Sequence, residues 1–134
     1  MKKYTLDTNI ISYLLKGNKD LSAIFKKKIE EGNIFIINLI TYYEICRGLL
    51  AINNLNKLEK FKDICNSFET GSITINTIYR AAIIYADLKR DGKLIDDADI
   101  FIASICMEDN LILVTNNEKH FQRIKGLKLE NWVV

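Results

Sequence analysis

An α/β fold, a three-layer α/β/α sandwich around a mainly parallel central sheet, is what this sequence predicts, and three observations predict it. Short apolar runs of strand character alternate with longer helical ones along all 134 residues, the pattern of parallel strands joined by crossover helices. Two of the strand-like runs are almost wholly apolar, Asn33 to Ile37 (NIFII) and Leu111 to Val114 (LILV), which suits strands covered on both faces. The chain has no proline and only 6 glycines. It therefore offers no linker, repeat or low-complexity stretch at which to divide, and residues 1–134 read as a single domain.

The elements follow in order. Lys3 to Leu6 reads as the first strand and Ile10 to Leu15 as a short helix after it. Leu21 to Glu30 continues as a helix whose Lys26-Lys27-Lys28 run makes a solvated face. The strand Asn33 to Ile37 leads into a helix over Leu39 to Leu50. Between Leu55 and Phe68, apolar residues (Leu58, Phe61, Ile64, Cys65) recur at helical spacing, the mark of an amphipathic helix. Ile73 to Ile75 reads as a short strand, Tyr79 to Lys89 as a helix, and Asp99 to Met107 as a mostly apolar helix. After the buried strand Leu111 to Val114 come a helical turn at Lys119 to Ile124 and a last strand at Leu127 to Leu129.

Composition narrows the function classes. Hydrophobic residues at 49% and charged residues at 27% describe an ordinary globular chain rather than a disordered one. With 19 Lys+Arg against 17 Asp+Glu the net charge is +2, too small to announce nucleic-acid binding, although a local patch matters more than the sum. Cys46, Cys65 and Cys106 are scattered and never form a CxxC pair, which argues for reduced thiols and against a zinc site or a disulfide framework. Met1-Lys2-Lys3 begins like a signal peptide, but Asp7, Thr8 and Asn9 interrupt the apolar segment that should follow. No apolar run approaches the roughly 18 residues of a membrane helix, so a cytoplasmic location is expected.

In parallel α/β sheets the chemistry lies beyond the carboxyl ends of the strands. Asp7 comes directly after the first strand, where it also suits an N-cap. Glu44 lies within its helix and can simply pair with Arg47 at i+3. Asp96, Asp97 and Asp99 cluster at a helix start, where one of the first two serves as a cap and acids suit the dipole. Asp99 is harder to dismiss, because it shares a face with Ile102, Ala103, Cys106 and Met107, and no basic residue within four positions offers it a partner. Asn116 and Asn117 follow the strand Leu111 to Val114 and read equally as turn residues. His120, the only histidine, is taken as a surface residue beside Lys119 and Arg123. Each acid has a structural explanation by itself, but their joint placement at one end of the sheet does not. Oxygen ligands without Cys or His suit a hard cation such as Mg²⁺ or Mn²⁺.

Leu6-Asp7-Thr8-Asn9 with Ile11-Ser12, Glu44 with Arg47-Gly48, Asp99-Ile100-Phe101-Ile102-Ala103, and Val114-Thr115-Asn116-Asn117 followed by Phe121 together resemble a PIN-domain ribonuclease. Gly126-Leu127 and Glu130-Asn131-Trp132 resemble the closing segment of its VapC-type toxins. The resemblance runs from about residue 3 to the C-terminus. It implies a PIN-like sandwich and a Mg²⁺- or Mn²⁺-dependent endoribonuclease. The family's acidic positions fall on Asp7, Glu44 and Asp99, as catalytic residues and metal ligands. Asp97 is implied to act behind a ligand or through water, and Asn117 stands at the fourth position, acidic in many members. Thr8, Asn9 and Thr115, within the same motifs, are expected near the metal site without binding directly. A homodimer and a co-expressed antitoxin whose tail blocks the site are implied as well.

With net charge near neutral, contact with RNA phosphates must come from few residues, and Lys16, Arg47 and Lys93 are the candidates nearest the site segments. One histidine, far in sequence from the acids, cannot supply the histidine pair that often drives attack by the RNA's own 2′-OH. Attack by water, leaving a 3′-hydroxyl and a 5′-phosphate, is therefore expected. Two other classes compete. A silent PIN-like binding module would have lost divalent-ion affinity. A phospho-acceptor receiver domain would show paired acids after the first strand and a lysine after the last, whereas this chain has Leu6-Asp7-Thr8 and no lysine after Leu129.

Overall fold

The computed structural model describes residues 1–133. Its elements run β1 (Lys3–Leu6), α1 (Thr8–Leu15), α2 (Lys19–Glu30), β2 (Ile34–Ile37), α3 (Leu39–Ala51), α4 (Leu55–Cys65), β3 (Glu69–Thr70), α5 (Ile75–Arg90), α6 (Asp97–Glu108), β4 (Ile112–Val114), α7 (Glu118–Phe121) and β5 (Lys128–Glu130). The strands form one five-stranded sheet in the order β3-β2-β1-β4-β5, and every neighbouring pair is parallel. The chain moves outward from β1 to β3 and then returns to lay β4 on the other side of β1. The crevice between the carboxyl ends of β1 and β4 is thus the topological switch point, where open α/β sheets bind ligands.

Successive strand residues point to opposite faces, and β2 divides its side chains accordingly. Phe35 and Ile37 join a core with Ile10 and Ile11 of α1, Leu21 of α2, Ile45 of α3 and Phe61 of α4. Ile36 instead joins Ala81, Ile84 and Leu88 of α5 and Ile102, Ala103 and Cys106 of α6 on the other face. Fully burying one such side chain contributes about 1.5–3 kcal/mol relative to leaving it exposed. Near the C-terminus, Trp132 meets Tyr4 edge-on at 5.2 Å, and Tyr4 stacks on Phe35 at 5.5 Å. Each such pair adds about 0.5–1.5 kcal/mol beyond burial and pins the segment after β5 to the core.

The structure differs from the sequence reading at the third strand. Ile73 to Ile75 is not a strand, because Thr74 N-caps α5 with its side chain accepting from the Thr77 backbone, and Ile75 already opens the helix at 81% exposure. The edge strand is Glu69–Thr70, short and polar, as unpaired sheet edges tend to be. Gly71 follows it so closely against β2 that a Cβ there would meet the Ile37 carbonyl at 3.1 Å. The capping geometry of Thr74 outweighs the strand propensity of two exposed isoleucines.

Two buried polar residues fix the helices that carry the site. Asn38, fully buried, caps α3 by accepting from Ile40 N–H at 3.1 Å and donates to the Ile102 carbonyl of α6 at 3.4 Å. Ser104 of α6 donates to the Thr77 carbonyl of α5 at 2.5 Å. Burying these groups unpaired would cost about 1–3 kcal/mol each, so the bonds hold α3, α5 and α6 in one register.

Candidate active site

Asp7 sits where β1 ends, and its backbone N–H donates to the Val114 carbonyl of β4 at 2.9 Å, closing the switch point. Asp7 is buried, with 5% of its surface exposed. Its Oδ1 accepts from the Thr8 N–H at 2.8 Å, which is the expected cap, and Oδ2 accepts from the Thr115 hydroxyl at 2.8 Å. Burial pushes the Asp7 carboxyl above its ordinary range. The bonds from Thr115 and Thr8 pull it back in part, while the charges of Asp99 and Glu44 raise it further. A cap alone needs neither the burial nor the neighbouring acids.

Glu44 reaches the same place from α3. Thr8 donates to its Oε1 at 2.8 Å, and Arg47 approaches its Oε2 at 3.7 Å, so the expected i+3 pair is present but loose and half in solvent. Asp99 enters from the first turn of α6 with its side chain 20% exposed. Burial raises its carboxyl above the usual range, His120 opposes that, and Glu44 and Asp96 add to it. Asp7, Glu44 and Asp99 therefore share one electrostatic environment.

His120 corrects the sequence reading. Its Nδ1 lies 3.0 Å from Asp99 Oδ2 and 3.2 Å from the Asn117 side-chain nitrogen, with the imidazole 30% exposed. The partner that Asp99 lacked on its own helix comes from α7. The signal was present: Asn117 and His120 stand three apart on one helical turn, just after a strand's carboxyl end. Because only one histidine is present, the expected absence of a histidine pair still holds.

Other expected residues fall in graded positions. Thr115 is fully buried; its hydroxyl also accepts from the Asn117 N–H at 2.9 Å. Asn117 and Asp96 occupy the N-cap positions of α7 and α6, yet neither side chain makes a capping bond. Asp97 and Asn9 are exposed, and neither side chain bonds to the cluster among the described residues. Lys16 lines a groove of about 260 Å³ together with Thr8, Ser12, Glu44, Gly48 and Lys57. Lys57, not anticipated from sequence, enters because α4 folds back beside α1. Arg47 is exposed and lies over the Tyr43 ring at 5.1 Å. Lys93 is exposed in the loop before α6, where its carbonyl accepts from Arg123 at 3.4 Å. A larger hollow of about 670 Å³ lies beyond the other end of α6, lined by Arg80, Glu108 and Arg123, and holds none of these acids.

The donor set fits a hard cation. All its candidate ligands are carboxylate oxygens, and the one wholly buried thiol, Cys106, is pushed well above the usual thiol range by burial. Among the described residues, no three His, Cys, Asp or Glu side chains converge into a ready-made cage. Mg²⁺ does not require one, since it commonly keeps several waters and takes one or two carboxylates. Two crowded carboxylates raised by burial are groups that a cation would stabilise in ionised form.

Comparison with known proteins identifies the family and the fold. The chain is 39% identical to Ribonuclease VapC1 of Methanocaldococcus jannaschii over 121 residues, which is 88% of this chain and 87% of that protein. VapBC2 of Rickettsia felis bound to a DNA fragment from its promoter has a chain that superposes with a TM-score of 0.85 at 29% identity, covering 98% of this chain and 99% of that one. DNA-bound VapBC of Salmonella typhimurium gives a TM-score of 0.88 at 25% identity over 99% of this chain and 100% of that chain. The model of the PIN domain matches residues 4–127, from the first strand past the turn that carries His120, and with the acids gathered at the switch point of that fold the chain belongs to the PIN-domain family.

Proposed function

We propose that this protein is a Mg²⁺- or Mn²⁺-dependent endoribonuclease and the toxin of a VapBC-type toxin–antitoxin pair. Asp7 and Asp99 serve as metal ligands, with Glu44 acting directly or through water. The observation that carries the reading is a pair of carboxylates, Asp7 at the end of β1 and Asp99 in the first turn of α6, both raised by burial, with Thr8 and Thr115 donating to the two oxygens of Asp7 and His120 against one oxygen of Asp99. A divalent ion held there supplies an activated water and neutralises charge on the phosphate under attack. The chain's own residues do the rest. Thr8 fixes Glu44 at Oε1, Thr115 fixes Asp7 at Oδ2, and Lys16 and Lys57 line the groove that runs from Thr8 and Glu44.

The relatives named VapC are ribonucleases, and the structural neighbours are complexes with antitoxins. A VapB-like antitoxin and a homodimer are accordingly the partners proposed here, with RNA as substrate. No helix among the described residues is long and apolar enough to cross a membrane. The free cysteines suit the reducing cytoplasm.

End-group analysis of cleaved RNA tests the reading. EDTA should stop cleavage, Mn²⁺ should restore it, and the products should carry 3′-hydroxyl and 5′-phosphate ends. Cyclic-phosphate ends that form in EDTA would overturn the metal mechanism.

A further inference from the structure

The segment after β4 touches both carboxylates at once. Thr115 donates to Asp7 Oδ2 at 2.8 Å and accepts from the Asn117 N–H at 2.9 Å. The Asn117 side chain lies 3.2 Å from Nδ1 of His120, and the same Nδ1 lies 3.0 Å from Asp99 Oδ2. A run of hydrogen-bonding groups from Thr115 through Asn117 to His120 thus joins Asp7 to Asp99. At Asp99 Oδ1 no protein donor is found among the described residues.

The chemistry of one ring nitrogen orders this run. Nδ1 offers either one hydrogen or one lone pair. An ionised Asp99 only accepts, so Nδ1 carries the hydrogen and donates to Oδ2. The Asn117 amide then presents its oxygen to that hydrogen, since a half-turn interchanges its two ends at no steric cost. The turn bearing these groups is anchored by Phe121, fully buried next to His120, and by Ile124. Without such an anchor, the repulsion between two partly desolvated carboxylates would drive Asp99 toward another rotamer.

From this geometry we infer that Thr115, Asn117 and His120 form a bracket that sets the two carboxylates at one spacing for the cation, with His120 the positioning residue for Asp99. The inference rests on the metal-dependent reading above. Groups that hydrogen-bond a metal's ligands typically hold 10–100-fold in metal affinity or activity.

Calorimetry with Mn²⁺ on the RNA-free protein tests it, using wild type, His120→Ala, His120→Asn, His120→Gln and Asp99→Asn, each checked for folding by its melting transition. Asparagine places an N–H near the position of Nδ1, glutamine near that of Nε2. His120→Ala should bind Mn²⁺ about 10–100-fold more weakly, with kcat reduced and KM for RNA little changed. His120→Asn should recover most of the affinity and His120→Gln should not; this contrast decides the matter even if His120→Ala fails to fold. Unchanged Mn²⁺ affinity in His120→Ala with a raised KM for RNA would make His120 a substrate contact and overturn the bracket. The Asp99→Asn protein separates the two levels. If it loses Mn²⁺ binding while the His120 variants keep theirs, only the bracket fails. If it binds Mn²⁺ like wild type, the metal reading fails and the bracket with it.

Discussion

Replacing Thr115 by valine isolates the hydroxyl at the centre of the site, because valine keeps the shape and the residue is fully buried. The lost hydroxyl donates to Asp7 Oδ2 at 2.8 Å and accepts from the Asn117 N–H at 2.9 Å. A bond to an ionised carboxylate contributes about 1.5–3 kcal/mol, and an N–H left partly buried without a partner costs about 1 kcal/mol. Thr115→Val should therefore lose about 2.5–4 kcal/mol in metal-free buffer at neutral pH. For a domain of this size that is a fall in melting temperature of roughly 10 °C. The loss should also depend on pH with a definite sign. Burial raises the Asp7 carboxyl, so its contribution to stability is greatest below the ordinary carboxylate range and falls as pH rises through its folded value. The Thr115 bond opposes that fall by favouring the ionised form. Its removal should cost less near pH 4 than at pH 7, and the gap between the two proteins should widen as Asp7 ionises. Urea denaturation in EDTA across this range measures both quantities. A neutral-pH difference below about 0.5 kcal/mol, or one that shrinks as pH rises, would show that Thr115 does not support an ionised Asp7.

Other substitutions give further expectations. Asp7→Asn should abolish RNA cleavage in Mg²⁺ while folding normally, as read by single-turnover assay and circular dichroism. In EDTA its stability relative to wild type should improve as pH rises, because it removes a buried charge crowded by Asp99 and Glu44. Lys16→Ala and Lys57→Ala should each weaken RNA binding and flatten its salt dependence, whereas Lys26→Ala on exposed α2 should not; equal losses in all three would detach the groove from the substrate path. Trp132→Ala should cost about 3–5 kcal/mol by emptying its contact with Tyr4 and Phe35, measured by thermal unfolding.

Much of this protein is determined locally, and so was legible in its sequence. The runs at Ile34–Ile37 and Ile112–Val114 are apolar because a parallel sheet covered on both faces leaves its inner strands no wet side. Given that sheet, Asp7 and Thr115 follow strand ends and must lie where such folds place their chemistry. The isolation of Asp99 on an apolar helix was equally visible, since no basic residue stood within reach on its own helix. What only the tertiary structure decided is pairing across the chain. His120 meets Asp99 across 21 residues, Thr8 meets Glu44 across 36, and Thr115 meets Asp7 across 108. Those contacts depend on how each helix is rotated about its axis and on which rotamer each side chain takes, and neither leaves a periodicity to read. The same limit explains Lys57, brought beside Lys16 by the fold-back of α4. It explains the third strand too, where a threonine cap at Thr74 and the shape of the sheet edge outweighed the β-branched residues around it. Residue chemistry selected the acids, and the packing of α6 and α7 supplied the partner that one of them lacked.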